Sequence, residues 1–204
     1  IVDRGFSSNA NLDYLRRGGG QWIAGERMRD GSADAAEALS RQGRYTTVDD
    51  HLKVKEVTLE STPGVRWIVC WNTAEAAKDK ARRDDAITRL EIELERIAAA
   101  RSRAEQALKK ATVKKTVKRL EAELAGHARA ECGVREHRTL GRYLRQLDSG
   151  RLTIDRAAIA AEAKLDGKHL LSTSDQHLSA VEVAVSYKNL LEAERGFRDL
   201  KSTL

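Results

Sequence analysis

The sequence predicts an α/β protein whose sheet-and-helix domain is interrupted by a β-hairpin and a long helical, coiled-coil-like insertion. Three observations carry this. The first 30 residues read strand, helix, strand; the apolar period switches to two over residues 48–71; and from about residue 74 to 147 the pattern is helical and free of proline.

Ile1, Val2 and Asp3 look like a strand end running into a turn, a strand already under way at the first residue. Ser7, Ser8 and Asn9 offer N-caps for a helix holding Leu12 and Leu15, and Gly18-Gly19-Gly20 stops it. Gln21-Trp22-Ile23-Ala24-Gly25 reads as the second strand, followed by a short helix over about 34–39. Leu52, Val54, Val57 and Leu59 alternate ahead of Ser61-Thr62-Pro63-Gly64, a type II turn signal that predicts a β-hairpin with the strand 65–71.

Ile87, Leu90, Leu94 and Ile97 then step by three and four, as do Val113, Val117, Leu120 and Leu124, with a phase slip between Ala111 and Val113. One straight helix over the whole stretch would run about 110 Å at 1.5 Å per residue. A helical hairpin is expected instead, turning either at the phase slip or between Gly126 and Gly133. A short helix over about 155–164, a turn at Asp166-Gly167 and a buried strand at 169–173 follow. Ser179-Ala180-Val181-Glu182 is a capping box that opens the last helix. The expected division is 1–46 for the first part of the sheet domain and 47–165 for the insertion. Within that insertion the hairpin takes 48–72, the helical hairpin about 74–148 and the short helix about 155–164; the last strand and helix take 166–204.

Lys and Arg outnumber Asp and Glu by 37 to 31, a net charge of +6 that suits a polyanionic partner, DNA first. Cys70 and Cys132 match no metal spacing and read as reduced thiols of a cytoplasmic chain. No apolar run approaches the roughly 20 residues that span a bilayer, so no membrane partner is expected. His127, Cys132 and His137 are one ligand short of a zinc site. Residues 101–119 hold eight basic side chains against Glu105 alone, which fits either a solvated helix face or contact with DNA.

The last helix carries the sharpest signal. Val183, Tyr187, Leu190, Glu194, Phe197 and Lys201 share one face, apolar except for Glu194 and Lys201. A carboxylate on such a stripe needs a cation, either a divalent metal or a side chain such as Arg198. Asp3 has a bland alternative too, as a turn or cap residue.

Together these segments resemble the cut-and-paste insertion-sequence transposases of the DDE type, with their Tyr-x2-Arg-x3-Glu-x6-Lys signature. Tyr187, Glu194 and Lys201 meet that spacing within Tyr-Lys-Asn-Leu-Leu-Glu-Ala-Glu-Arg-Gly-Phe-Arg-Asp-Leu-Lys, while Leu190 stands at the Arg position. Ile-Val-Asp-Arg-Gly-Phe looks like the strand bearing the second aspartate, and Leu-Leu-Ser-Thr fits the strand before the glutamate helix.

The resemblance implies an RNase H-like core and Mg²⁺ or Mn²⁺ held by Asp3 and Glu194, with the first aspartate of the triad on a strand ahead of Ile1. It implies strand cleavage and strand transfer on DNA, both transposon ends and target, by a homodimer in the DNA complex. This chain alone is expected to be inactive. Tyr187, Lys201, Lys188 and Arg198 are the DNA-contacting candidates, Lys188 or Arg198 standing in for the missing arginine. Trp67 and Trp71 are candidates to stack on an unpaired base, the alternative being core. The competing readings are a non-catalytic coiled-coil module that binds DNA or a partner, and an inactive transposase remnant.

Overall fold

The computed structural model describes the chain except residues 3–7 and 204; within its helices, the side chains of residues 9, 16, 194, 195 and 197–203 are also left out. The elements are α1 (Asn9–Arg17), β1 (Ile23–Glu26), α2 (Ala33–Ser40), β2 (Thr46–Thr47), β3 (Leu52–Thr58), β4 (Arg66–Asn72), α3 (Thr73–Lys110), α4 (Lys114–Arg135), β5 (Leu144–Gln146), β6 (Leu152–Ile154), α5 (Arg156–Ala163), β7 (Lys168–Thr173) and α6 (Ala180–Thr203). The protein is mixed α/β, with a five-stranded antiparallel sheet in the order β1-β7-β4-β3-β2. It falls into two compact units, one of Ile1–Lys78 with Leu165–Leu204 and one of Asp79–Lys164.

In the sheet unit, β7 lies between β1 and β4 and pairs antiparallel with both. Val2 adds one parallel bridge to Ala24 on the far side of β1, through Val2 N–H to the Ile23 carbonyl at 2.8 Å and Gly25 N–H to the Val2 carbonyl at 3.2 Å. The two sheet faces divide the apolar residues by the strand period of two. Trp22, Ala24, Val57, Trp67, Val69 and Leu170 face α1 and α2; Ile23, Val54, Ile68, Cys70 and Leu171 face α6. The sheet is thus covered on both sides, which explains why β4 and β7 are almost continuously apolar rather than alternating.

The hairpin forms as the sequence predicts. Val65 N–H reaches the Thr62 carbonyl at 3.1 Å across Pro63 and Gly64, with Gly64 at φ 77, the arrangement a type II turn requires. Its assignment to the insertion is corrected: β4 pairs along its length with β7, so the hairpin is part of the main sheet and the second unit begins only at Asp79. Alternation shows that two strands pair with each other; it is silent on what the outer edge of the second one meets.

Two polar devices fix the entry to α6. Arg66 Nη1 donates to the Asp175 and Leu178 carbonyls at 2.9 and 2.6 Å, while its other nitrogens clamp the Glu56 carboxylate at 2.7 and 2.6 Å. Asp175 Oδ1 accepts from His177 and Leu178 N–H, and the capping box closes with Glu182 N–H on Ser179 Oγ at 3.2 Å and Ser179 N–H on Glu182 Oε2 at 2.7 Å.

In the helical unit, α3 and α4 turn at residues 111–113, the phase slip, and Gly126 and Gly133 lie inside α4. Ile97, Ala104 and Leu120 are buried there, and Arg101 joins Glu105 on its own helix to Glu131 on α4 at 3.0 and 3.1 Å. The expected helix up to residue 148 is corrected: α4 ends at Arg135, and β5 and β6 form a small hairpin closed by Gly150 at φ 77. The helical stripe fades after Leu124, and three-residue strands are too short to announce themselves by period. Among the described residues, no helix is long and apolar enough to cross a membrane.

Gly167 ends the turn into β7 at φ 65, and a Cβ there would fall 2.2 Å from the Asn72 carbonyl oxygen. Gly167→Ala is expected to cost about 2 kcal/mol or more, read as a lower denaturant midpoint at unchanged slope. Acid should act on the same unit. The Arg66 side chain holds Glu56, and backbone N–H groups hold Asp175 and Glu182, below the usual carboxylate range. A depressed folded pKa stabilises above the unfolded value and loses that stabilisation as pH falls through the folded one. Stability should therefore decline below about pH 4, by thermal melts from pH 7 to pH 2.

Candidate functional site

α6 is held on the sheet by Val183, Ala184 and Tyr187, which are buried, and by Ala180, Val181 and Leu191, which are partly so. Tyr187, a DNA-contacting candidate by sequence, is only 4% exposed, and its ring belongs to this core. Its place in the signature is met by packing, and in this conformation it does not reach solvent. Lys188 is exposed, its ammonium 4.0 Å from the Asp49 carboxylate beside the start of β3. Asp3 lies outside the described residues. Glu194, Arg198 and Lys201 belong to α6, but their side chains are outside what is described. Among the described residues no three His, Cys, Asp or Glu side chains cluster as metal ligands.

The direction of α6 is set by its ends. It begins where Arg66 of β4 binds the Asp175 and Leu178 carbonyls, and two turns later Lys188 is beside Asp49, at the opposite end of the hairpin strands. That is the end at which β7 starts and toward which β1 runs, since Glu26 pairs with Leu170 and Ile23 with Thr173.

The two hairpin tryptophans separate. Trp67 is 4% exposed, packs in the core under α1 and α2, and donates its indole N–H to Thr62 Oγ1 at 3.1 Å. It is not available to stack on a base here, and the expectation is corrected; a full sheet face claims an aromatic with a partner for its N–H. Trp71, four residues on, is half-buried at the other end of the same face.

Around Trp71 lies a group of cations that sequence reading missed. Lys53 on β3 and Lys168 on β7 are both directly opposite Trp71, so the three form one row on one face. The Lys53 ammonium lies 5.5 Å from the Trp71 ring centroid. Lys55, one row along, is 6% exposed, and its ammonium stands 5.4 Å from the Tyr45 ring and donates to the Arg41 carbonyl. Tyr45 and Trp71 touch, their rings 5.8 Å apart and tilted by 58°. Burial, then the nearby Lys168 charge, lowers the Lys55 pKa, and burial lowers that of Lys168. Alternate lysines at 53 and 55 put both on one face of β3, a signal that was available, but Lys168 could be added only once β7 was known to neighbour β4.

A cavity of about 690 Å³ opens on the same sheet face at its other end, between α1, the start of α2 and the β3–β4 turn. Asp13, Glu26, Asp30 and Asp34 line it with Trp22 and Trp67. Ser172 Oγ donates to Glu26 at 2.5 Å and Ser61 Oγ to Asp34 at 2.7 Å. No protein-family model, no curated protein and no solved structure matches this chain.

The contrast between the tryptophans is directly measurable. Trp67→Ala should cost about 3–5 kcal/mol in denaturant unfolding, as loss of a buried aromatic does, and Trp71→Ala distinctly less. In single-tryptophan variants, acrylamide should quench Trp71 fluorescence several-fold more efficiently than Trp67; equal quenching would contradict the burial described.

Proposed function

We propose that this chain is part of the catalytic domain of a DDE-type transposase, in which Asp3 and Glu194 are two of three metal-binding acids. What supports the reading most is the arrangement around β1. Val2 bridges β1 in parallel, and α1 connects them, which makes a strand–helix–strand unit of the kind an RNase H-like core contains. Val2 packs toward α1 and α2, while α6 covers the other face of the sheet. α6 runs toward the end of the sheet to which β1 points. At about 1.5 Å per residue, position 194 comes about 10 Å beyond Tyr187 along α6.

Two carboxylates are hard oxygen donors that suit Mg²⁺ or Mn²⁺ and leave room for water and phosphate oxygens. Bound there by Asp3 and Glu194, such ions would supply Lewis-acid stabilisation of charge at the reacting phosphorus. On this reading Asp3 and Glu194 would hold the ions, which requires their oxygens to converge. Lys188, Arg198 and Lys201 on α6 would bind backbone phosphate, and a homodimer would bring two transposon ends together. Water would attack the phosphorus at the transposon end and displace its 3′-oxygen, and the 3′-hydroxyl so freed would attack a target phosphorus, displacing the target strand's own 3′-oxygen.

A second reading, a DNA- or partner-binding helical module, is favoured by one observation: α3 and α4 pack against each other within their own compact unit and expose basic side chains over 101–119. It gives no reason for Asp3 and Glu194 to share a ligand.

Manganese binding to the 204-residue chain, followed by electron paramagnetic resonance, separates the two. If the acids share an ion, Asp3→Asn and Glu194→Gln should each weaken binding several-fold, and the double variant should be little worse than either single one. Additive or absent effects would remove the shared site. In a longer chain carrying the first aspartate, Glu194→Gln should abolish strand cleavage and leave DNA binding largely intact.

A further inference from the structure

We propose that Lys53, Lys55 and Lys168 form a phosphate-binding site on the sheet face beside Tyr45 and Trp71. The inference stands apart from the metal-site reading and uses none of its residues.

The argument begins with Lys55. At 6% exposure it is a buried cation, and its ammonium is matched by the Arg41 carbonyl and the face of Tyr45. Gly43 lies on its stem, so close that a Cβ there would come 3.0 Å from Lys55 Cδ. Among the described residues, no carboxylate forms an ion pair with Lys53, Lys55 or Lys168. Burying a cation without an anion is costly, and holding a second one near enough to lower its pKa adds to the cost. Such an arrangement is stabilised by an anion from outside.

Geometry narrows the anion. Lys53 and Lys168 flank Trp71 from neighbouring strands, each about 4.8 Å away across the sheet, and Lys55 lies one row along. Three lysines from two strands therefore share one patch of this sheet face beside Trp71. A flat carboxylate is best met by the planar fork of an arginine, whereas a tetrahedral phosphate offers separate oxygens to separate point charges. Cation–π contact with Trp71 and Tyr45 holds Lys53 and Lys55 in place before any ligand arrives. The phosphate has two sources, the backbone of a nucleic-acid strand or a free phosphate.

Lysine side-chain NMR on the full chain, at fixed ionic strength with chloride as control, tests the site and distinguishes the sources. Inorganic phosphate and a single-stranded oligonucleotide should both move the Lys55 and Lys168 signals and raise their pKa values. Saturation by the oligonucleotide at far lower concentration assigns the site to backbone phosphate; a response to inorganic phosphate alone assigns it to the free ion. Lys55→Met, which keeps the buried stem, and the more exposed Lys168→Gln should each weaken binding of the responding ligand about tenfold. For the oligonucleotide, each should also lower the salt slope by about one. No shift with either ligand, or unchanged binding by both folded variants, overturns the proposal.

Discussion

The sheet unit depends on one strand. β7 comes from the last quarter of the chain, yet it pairs with β1 on one edge and β4 on the other. Every backbone group it buries must find a partner, and no other strand bridges the opening strand–helix–strand unit to the hairpin. Ser172 and Thr173 are buried polar residues at its end, and Thr173 Oγ1 donates to the Trp22 carbonyl at 2.7 Å while accepting the Asp175 N–H. These bonds carry the chain from the sheet into the turn that launches α6. The helical unit is inserted between two strands that lie side by side, a position an insertion can occupy only if its ends return to nearly the same place. Asn72 N–H on the Gly167 carbonyl at 2.8 Å is where they do so.

The position of α6 follows from that strand and from Arg66. A guanidinium that binds two helix-entry carbonyls and one carboxylate at once leaves the helix little freedom to rotate about its start. With rotation fixed, Val183, Ala184 and Tyr187 face the sheet.

Much of the local structure was legible because local chemistry decides it. Pro63-Gly64 can make one kind of turn, Ser179 and Glu182 satisfy each other across one helical turn, and the slip after Ala111 breaks a stripe that packing would otherwise continue. What could not be read was which edges meet. Leu52 to Trp71 alternates as a hairpin whether it stands apart or lies inside a sheet, and only the pairing of β7 with β4 decides it. The same gap concealed the lysine row, since Lys168 is nearly a hundred residues from Trp71 yet directly opposite it. Trp67 and Trp71 look alike in sequence because they share a strand face; the α1–α2 layer covers one and stops short of the other.

That shared face has a consequence for any polyanion. At one end Asp13, Glu26, Asp30 and Asp34 surround a cavity, and at the other Lys53, Lys55 and Lys168 gather without carboxylates of their own. Unlike ends on one surface create a field along the strands, and near a low-dielectric sheet it is screened less than in open water. On the proposed lysine site, a phosphate chain would meet this face at the Trp71 end rather than at the cavity, where four acids outnumber Arg27. Orientation of the ligand then requires no base-specific contact, because the sign of the charge alone selects which end of the strands it meets.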